Sequence, residues 1–66
     1  MLNSAKFWIA LRSDPSAARP FGPYTQIEAA DRRKIMVAAS AADWVSAVFA
    51  AVDREQAERI AKFYLP

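Results

Sequence analysis

The chain is 66 residues long and carries nine Lys and Arg against seven Asp and Glu, a net charge of +2, with no Cys and no His. Such a length is one small domain that buries only about 60% of its unfolded surface. The missing residue types exclude disulfides, Cys or His zinc sites, thiol nucleophiles and the common triads as sources of stability or catalysis.

Fifteen of the residues are Ala, which lets elements approach closely but brings little apolar area per residue. A core of that kind gains from self-association, so a homodimer is expected in preference to a monomer. No run approaches the roughly 18 apolar residues of a membrane helix, and residues 1–4 lack the charged and apolar regions of a secretion signal. The expected location is therefore the cytoplasm, with no membrane partner. Met1 and a capped final helix lead to the expectation of a free-standing chain, and one domain is expected over residues 1–66.

In chain order, the first element is a strand over about 6–12 (KFWIALR). Phe7, Ile9 and Leu11 alternate with Lys6, Trp8, Ala10 and Arg12, the period of a half-buried strand with Phe, Ile and Leu toward the core. Residues 13–24 hold three of the four prolines and the only glycine, and read as a turn-rich loop. Phe21 and Tyr24 either anchor that loop or give it a binding surface.

A helix over about 26–39 follows, opened by a capping box in which Thr25 stands three positions before Glu28. Its partial apolar stripe is Ile27, Ala30, Val37 and Ala38, interrupted by Lys34. A competing reading makes residues 34–39 a strand in a hairpin with the next one, but a Gly- and Pro-free run rich in Ala, Glu, Arg and Lys favours helix. The second strand is expected over about 44–51, with Val45, Ala47 and Phe49 on one side and Trp44, Ser46, Val48 and Ala50 on the other. Both tryptophans then share the sheet face opposite the helices. Asp53 and Gln56 form a second capping pair before a helix over about 54–65, where Ala57, Ile60, Ala61, Tyr64 and Leu65 make an apolar stripe and Arg54, Glu55, Glu58, Arg59 and Lys62 take the wet side.

These elements predict an α+β fold, a two-layer βαβα domain with two helices on one face of a short sheet. A strand, helix, strand connection makes the strands parallel with a right-handed crossover. Two strands are a poor sheet, so either the Pro-rich segment adds a short third strand or a second copy of the chain completes the layer through an edge.

No catalytic constellation emerges from the inventory. Glu55 and Glu58 lie on a wet helix side among cations, not in the enclosed site that paired-carboxylate chemistry needs, and Gly22 alone makes no phosphate loop. A non-enzymatic chain without cofactor or metal is expected. Arg32, Arg33 and Lys34 form the one basic cluster, read first as a solvated helix face paired with Glu28 and Asp31.

The doubled strand and capped helix, with Gly22-Pro23-Tyr24 before one helix and Asp53-Arg54-Glu55-Gln56-Ala57 opening the other, resembles the repeat of SPOR-type peptidoglycan-binding domains. Phe21-Gly22-Pro23-Tyr24 ahead of a helix and Trp44 is similar to the opening of GYF-type domains, which implies binding of proline-rich peptides on an aromatic surface. A compact chain of this size without catalytic residues also looks like the phage-encoded anti-CRISPR inhibitors, which implies a protein partner, even a nucleoprotein complex, blocked by surface occupation. The partner-binding residues expected are Trp8, Trp44 and Tyr24 as aromatic anchors, with Arg12, Arg32, Arg33 and Lys34 steering toward an acidic surface. The alternatives are single-stranded nucleic acid stacked on the aromatic sheet face, the tryptophans being core instead, and an accessory subunit whose dimer is its function.

Overall fold

A computed structural model of the chain describes residues 5–13, 17–40 and 42–63. Over these residues the order is β1 (Lys6–Arg12), β2 (Arg19–Tyr24), α1 (Gln26–Ala38), β3 (Trp44–Val45), β4 (Phe49–Ala51) and α2 (Arg54–Phe63). The small α+β class is as expected, with two helices on one antiparallel sheet. β1 is its centre, with β2 along one side and β3 and β4 sharing the other.

The Pro-rich segment supplies β2, the third strand that the loop reading left as an alternative. Two prolines are tolerated because β2 is an edge strand. Pro20 has no N–H to give, so its pair with Ala10 is the non-hydrogen-bonded kind, and Ile9↔Phe21 and Leu11↔Arg19 carry the ladder. Between Phe7↔Tyr24 and Ile9↔Phe21, β2 spends one residue more than β1, a bulge that takes up Gly22 and Pro23. Gly22 sits at φ +155°, and a Cβ there would lie 2.9 Å from both the Phe7 carbonyl oxygen and Trp8 Cε3. Only glycine fits that backbone against that ring.

The added strand also corrects the expected strand direction. β1 is antiparallel to all its neighbours. The crossover through α1 joins β2 to β3 instead, and these two run parallel with β1 between them.

The strand expected over 44–51 is broken. Leu11 pairs with Val45 and Trp8 with Phe49, so β1 advances three residues while the other chain advances four. One inserted residue flips every later side chain to the other face, which puts Phe49 on the same side as Trp44 and not opposite it. Ser46 bridges the break: its N–H donates to the Ala10 carbonyl at 2.9 Å, and its Oγ accepts the Ala10 N–H at 2.8 Å while donating to the Ala47 carbonyl at 2.7 Å.

β1 is buried on both faces, since Trp8, Ile9, Ala10 and Leu11 are buried in succession. Trp8 and Ala10 pack with Phe49 and Ala51 of β4 and with Ala57 and Ala61 of α2. The face expected to lie opposite the helices therefore carries one. Ile9 and Leu11 point the other way, toward the side of β1 that α1 covers with its buried Ala29. The helices thus take opposite faces of β1, which corrects their placement on one face. The apolar run of β1 permits this, because a strand without a polar face accepts cover on both sides.

Both helix starts form as expected. Thr25 Oγ1 accepts the Glu28 N–H at 3.2 Å and Glu28 Oε1 accepts the Thr25 N–H at 3.0 Å. Asp53 Oδ1 accepts the Gln56 N–H at 2.8 Å, but Gln56 Oε1 reaches one residue further back, to the Val52 N–H at 2.8 Å. Residues 34–39 lie in α1 and its C-terminal turn, not in a strand. Of the α2 stripe, Ala57 and Ala61 are buried and Ile60 is half-buried; Tyr64 and Leu65 lie outside the described residues.

α1 is turned away from its expected orientation. Ile27, Ala30, Val37 and Ala38 are all exposed, while Ala29 is buried and Arg33 and Met36 are half-buried. Arg33 fixes that rotation, because its Nε donates to the Ser46 carbonyl at 2.8 Å.

Candidate protein-binding surface

The two tryptophans do not project from the sheet. Trp8 is 2% exposed, and its Nε1 donates to the Ala51 carbonyl at 3.0 Å. The Arg54 guanidinium stands over its ring, 5.5 Å from the centroid. Trp44 is half-buried on β3 and packs against the same cluster. Trp8 as an exposed anchor is therefore corrected: the Ala57 and Ala61 positions of α2 are small enough to bring that helix down over it.

The remaining residues expected at a site separate in space. Arg12, half-buried, faces Trp44 across β1 and β3, whereas half-buried Tyr24 faces Phe7 at the opposite end of β1. Arg33 is committed to the Ser46 carbonyl. Arg32 and Lys34 are exposed on α1.

An open cleft of about 580 Å³ runs along the β2 edge, walled by Arg19, Phe21, Tyr24, Arg54 and Glu58. Of its two arginines, Arg54 is already engaged. Arg54 Nη2 donates to the Gly22 carbonyl at 3.2 Å, with Nη1 at 3.4 Å from the Pro20 carbonyl. The Glu58 carboxylate on the same wall opposes an anionic ligand. Among the described residues no group of three or more Asp and Glu is placed to hold a metal ion. The Glu28 carboxyl is held below its ordinary value, first by the Thr25 backbone N–H and then by the Thr25 side chain, with the nearby Arg32 charge adding to it.

The outer face of α1 is the surface that stands out. Ile27 is 78% exposed, Ile35 58% and Val37 50%, all on one helix of 13 residues. Asp31 and Lys34 lie between them on the side of α1 away from Ala29 and Arg32 lies at the margin, so apolar side chains share this face with both signs of charge. The sequence reading singled out Arg32 and Lys34 but missed Ile27, Asp31, Ile35 and Val37. The 4-3-4 spacing of Ile27, Asp31, Lys34 and Ala38 lines up positions on one helix side and finds Ile27 and Asp31; Ile35 and Val37 flank that line and carry no such signal.

No helix among the described residues is long and apolar enough to cross a membrane. No family model, no curated protein and no solved structure matches the chain.

Proposed function

We propose that the chain is a non-enzymatic protein-binding module that meets its partner through the outer face of α1. The observation that carries this reading is the exposure of Ile27, Ile35 and Val37 together on a helix that buries little more than Ala29 against its own sheet. Exposed aliphatic side chains in that concentration lose contact with water when a partner covers them. Lys34 within this face and Arg32 at its margin steer an acidic partner surface toward it. Arg12, Tyr24 and Trp44 stay outside this surface.

A finer form of the proposal is an inhibitor that acts by occupying a partner surface, as phage-encoded anti-CRISPR proteins do, in the cytoplasm of a host cell. It draws support from chain size and from the lack of His, Cys and a phosphate loop. Single-stranded nucleic acid is the weaker reading, since the Trp8 ring is covered and Glu28 and Asp31 sit beside the α1 cations.

Capture from nuclease-treated bacterial lysate, comparing wild type with Ile27→Asp/Ile35→Asp, tests the proposal. A stoichiometric protein that withstands nuclease and moderate salt, and is lost in the variant while far-UV circular dichroism is unchanged, supports it. Recovery of nucleic acid that disappears with nuclease and salt, or recovery indifferent to the α1 variant, overturns it.

A further inference from the structure

We propose that the partner of this surface is a second copy of the chain, with α1 packed antiparallel on α1 about a two-fold axis. The inference rests on the reading of the α1 outer face as the binding surface, and adds what covers it.

Three observations converge. The first is self-complementary charge. Ile27, Asp31, Lys34 and Ala38 follow one another along the side of α1 opposite buried Ala29, apolar at both ends and oppositely charged in the middle. In an antiparallel pair Ile27 of each copy meets Ala38 of the other and Asp31 meets Lys34, twice over by symmetry. A parallel pair would set Asp31 on Asp31 and Lys34 on Lys34, so the sequence selects the antiparallel orientation by repulsion as well as attraction.

The second observation is that these charges are available. Glu55 pairs with Arg59 at 3.5 Å on α2, and among the described residues no ion pair involves Asp31 or Lys34. The third is that the sheet edges offer a second copy little. β2 lacks two N–H groups at Pro20 and Pro23, and Arg54 occupies the Gly22 carbonyl and reaches that of Pro20. The other edge is split into β3 and β4 by residues 46–48.

A seam between two helices of this length, about 20 Å, lies at the low end of specific interface sizes, so association in roughly the micromolar range follows. Sedimentation equilibrium of the full chain across a wide concentration range is the test, with far-UV circular dichroism on every variant. Wild type is expected to dimerise. Asp31→Lys and Lys34→Asp are each expected to weaken the dimer at least about tenfold by placing like charges in contact. The two single variants mixed together, or both changes in one chain, are expected to restore it, since either combination makes the seam complementary again. That rescue separates charge pairing from damage to the fold. A wild-type chain that stays monomeric overturns the proposal, and so does a dimer indifferent to all these changes. In either case the protein-binding reading stands or falls separately, on whether Ile27→Asp/Ile35→Asp releases a captured protein.

Discussion

The Ser46 side chain accepts the amide hydrogen of Ala10 while the Ser46 amide donates to the Ala10 carbonyl, so one residue satisfies both backbone groups of another at 2.8 and 2.9 Å. Ala10 is fully buried and Ser46 nearly so. At this point the ladder along β1 is broken, and a hydroxyl stands in for the missing strand carbonyl.

Ser46→Ala leaves the Ala10 N–H buried and unpaired, which costs about 1–3 kcal/mol. On a domain this small the loss appears as a clearly lower denaturation midpoint. Ser46→Thr keeps the hydroxyl, so a loss much smaller than that of Ser46→Ala is the companion result; equal losses would show that the hydroxyl is not the acceptor that matters.

Gly22→Ala places a methyl 2.9 Å from the Phe7 carbonyl oxygen and from Trp8 Cε3, at a φ of +155°. The expected cost exceeds about 1 kcal/mol, because neither backbone nor buried ring can move aside cheaply. Urea denaturation gives the cost, and tryptophan fluorescence of the folded variant reports the displaced Trp8 ring. An unchanged midpoint would refute the tight contact.

Ser40 ends α1 with φ +52°, its N–H donating to the Val37 carbonyl at 3.2 Å. Ser40→Gly removes the left-handed penalty and keeps the backbone bond, for a gain of a few tenths to about 1 kcal/mol. Ser40→Val moves stability the other way, since a β-branched residue is disfavoured there. The order Gly above Ser above Val in thermal midpoint is the check.

The Glu28 pKa is depressed by accepting the Thr25 N–H. A carboxyl held below its unfolded pKa adds stability above that pKa and loses it as pH falls through the folded value. Wild type should therefore shed part of its stability between mildly and strongly acidic pH. Glu28→Gln, whose amide oxygen still accepts that bond, should lose less over the same window. Parallel acid titrations of the two midpoints would sink the assignment.

Features built from neighbours in sequence were legible before the fold was known. Thr25 with Glu28 and Asp53 with Gln56 cap their helices, residues 6–12 form the strand β1, and Ala57, Ile60 and Ala61 face the core. Features set by a partner across the sheet were not. Whether Pro20 and Pro23 permit a strand depends on an edge position, which no local pattern records. The break at residues 46–48 depends on Ala10, 36 positions away. The same holds at the candidate site: Arg32 and Lys34 read correctly as exposed, but the rotation that turns Ile27 outward follows from the reach of Arg33 to Ser46. Trp8 was misplaced because its strand was granted one buried face and has two.

The closed border of β2 has a consequence for what these molecules become in a crowd. A copy that joins through a strand margin leaves its own far margin exposed, so each addition invites the next and growth has no natural end. Two helices laid face to face consume the surface they use, and growth stops at two. Two imino acids and one guanidinium along β2 thus incline a chain with so many apolar residues away from open-ended growth through that edge.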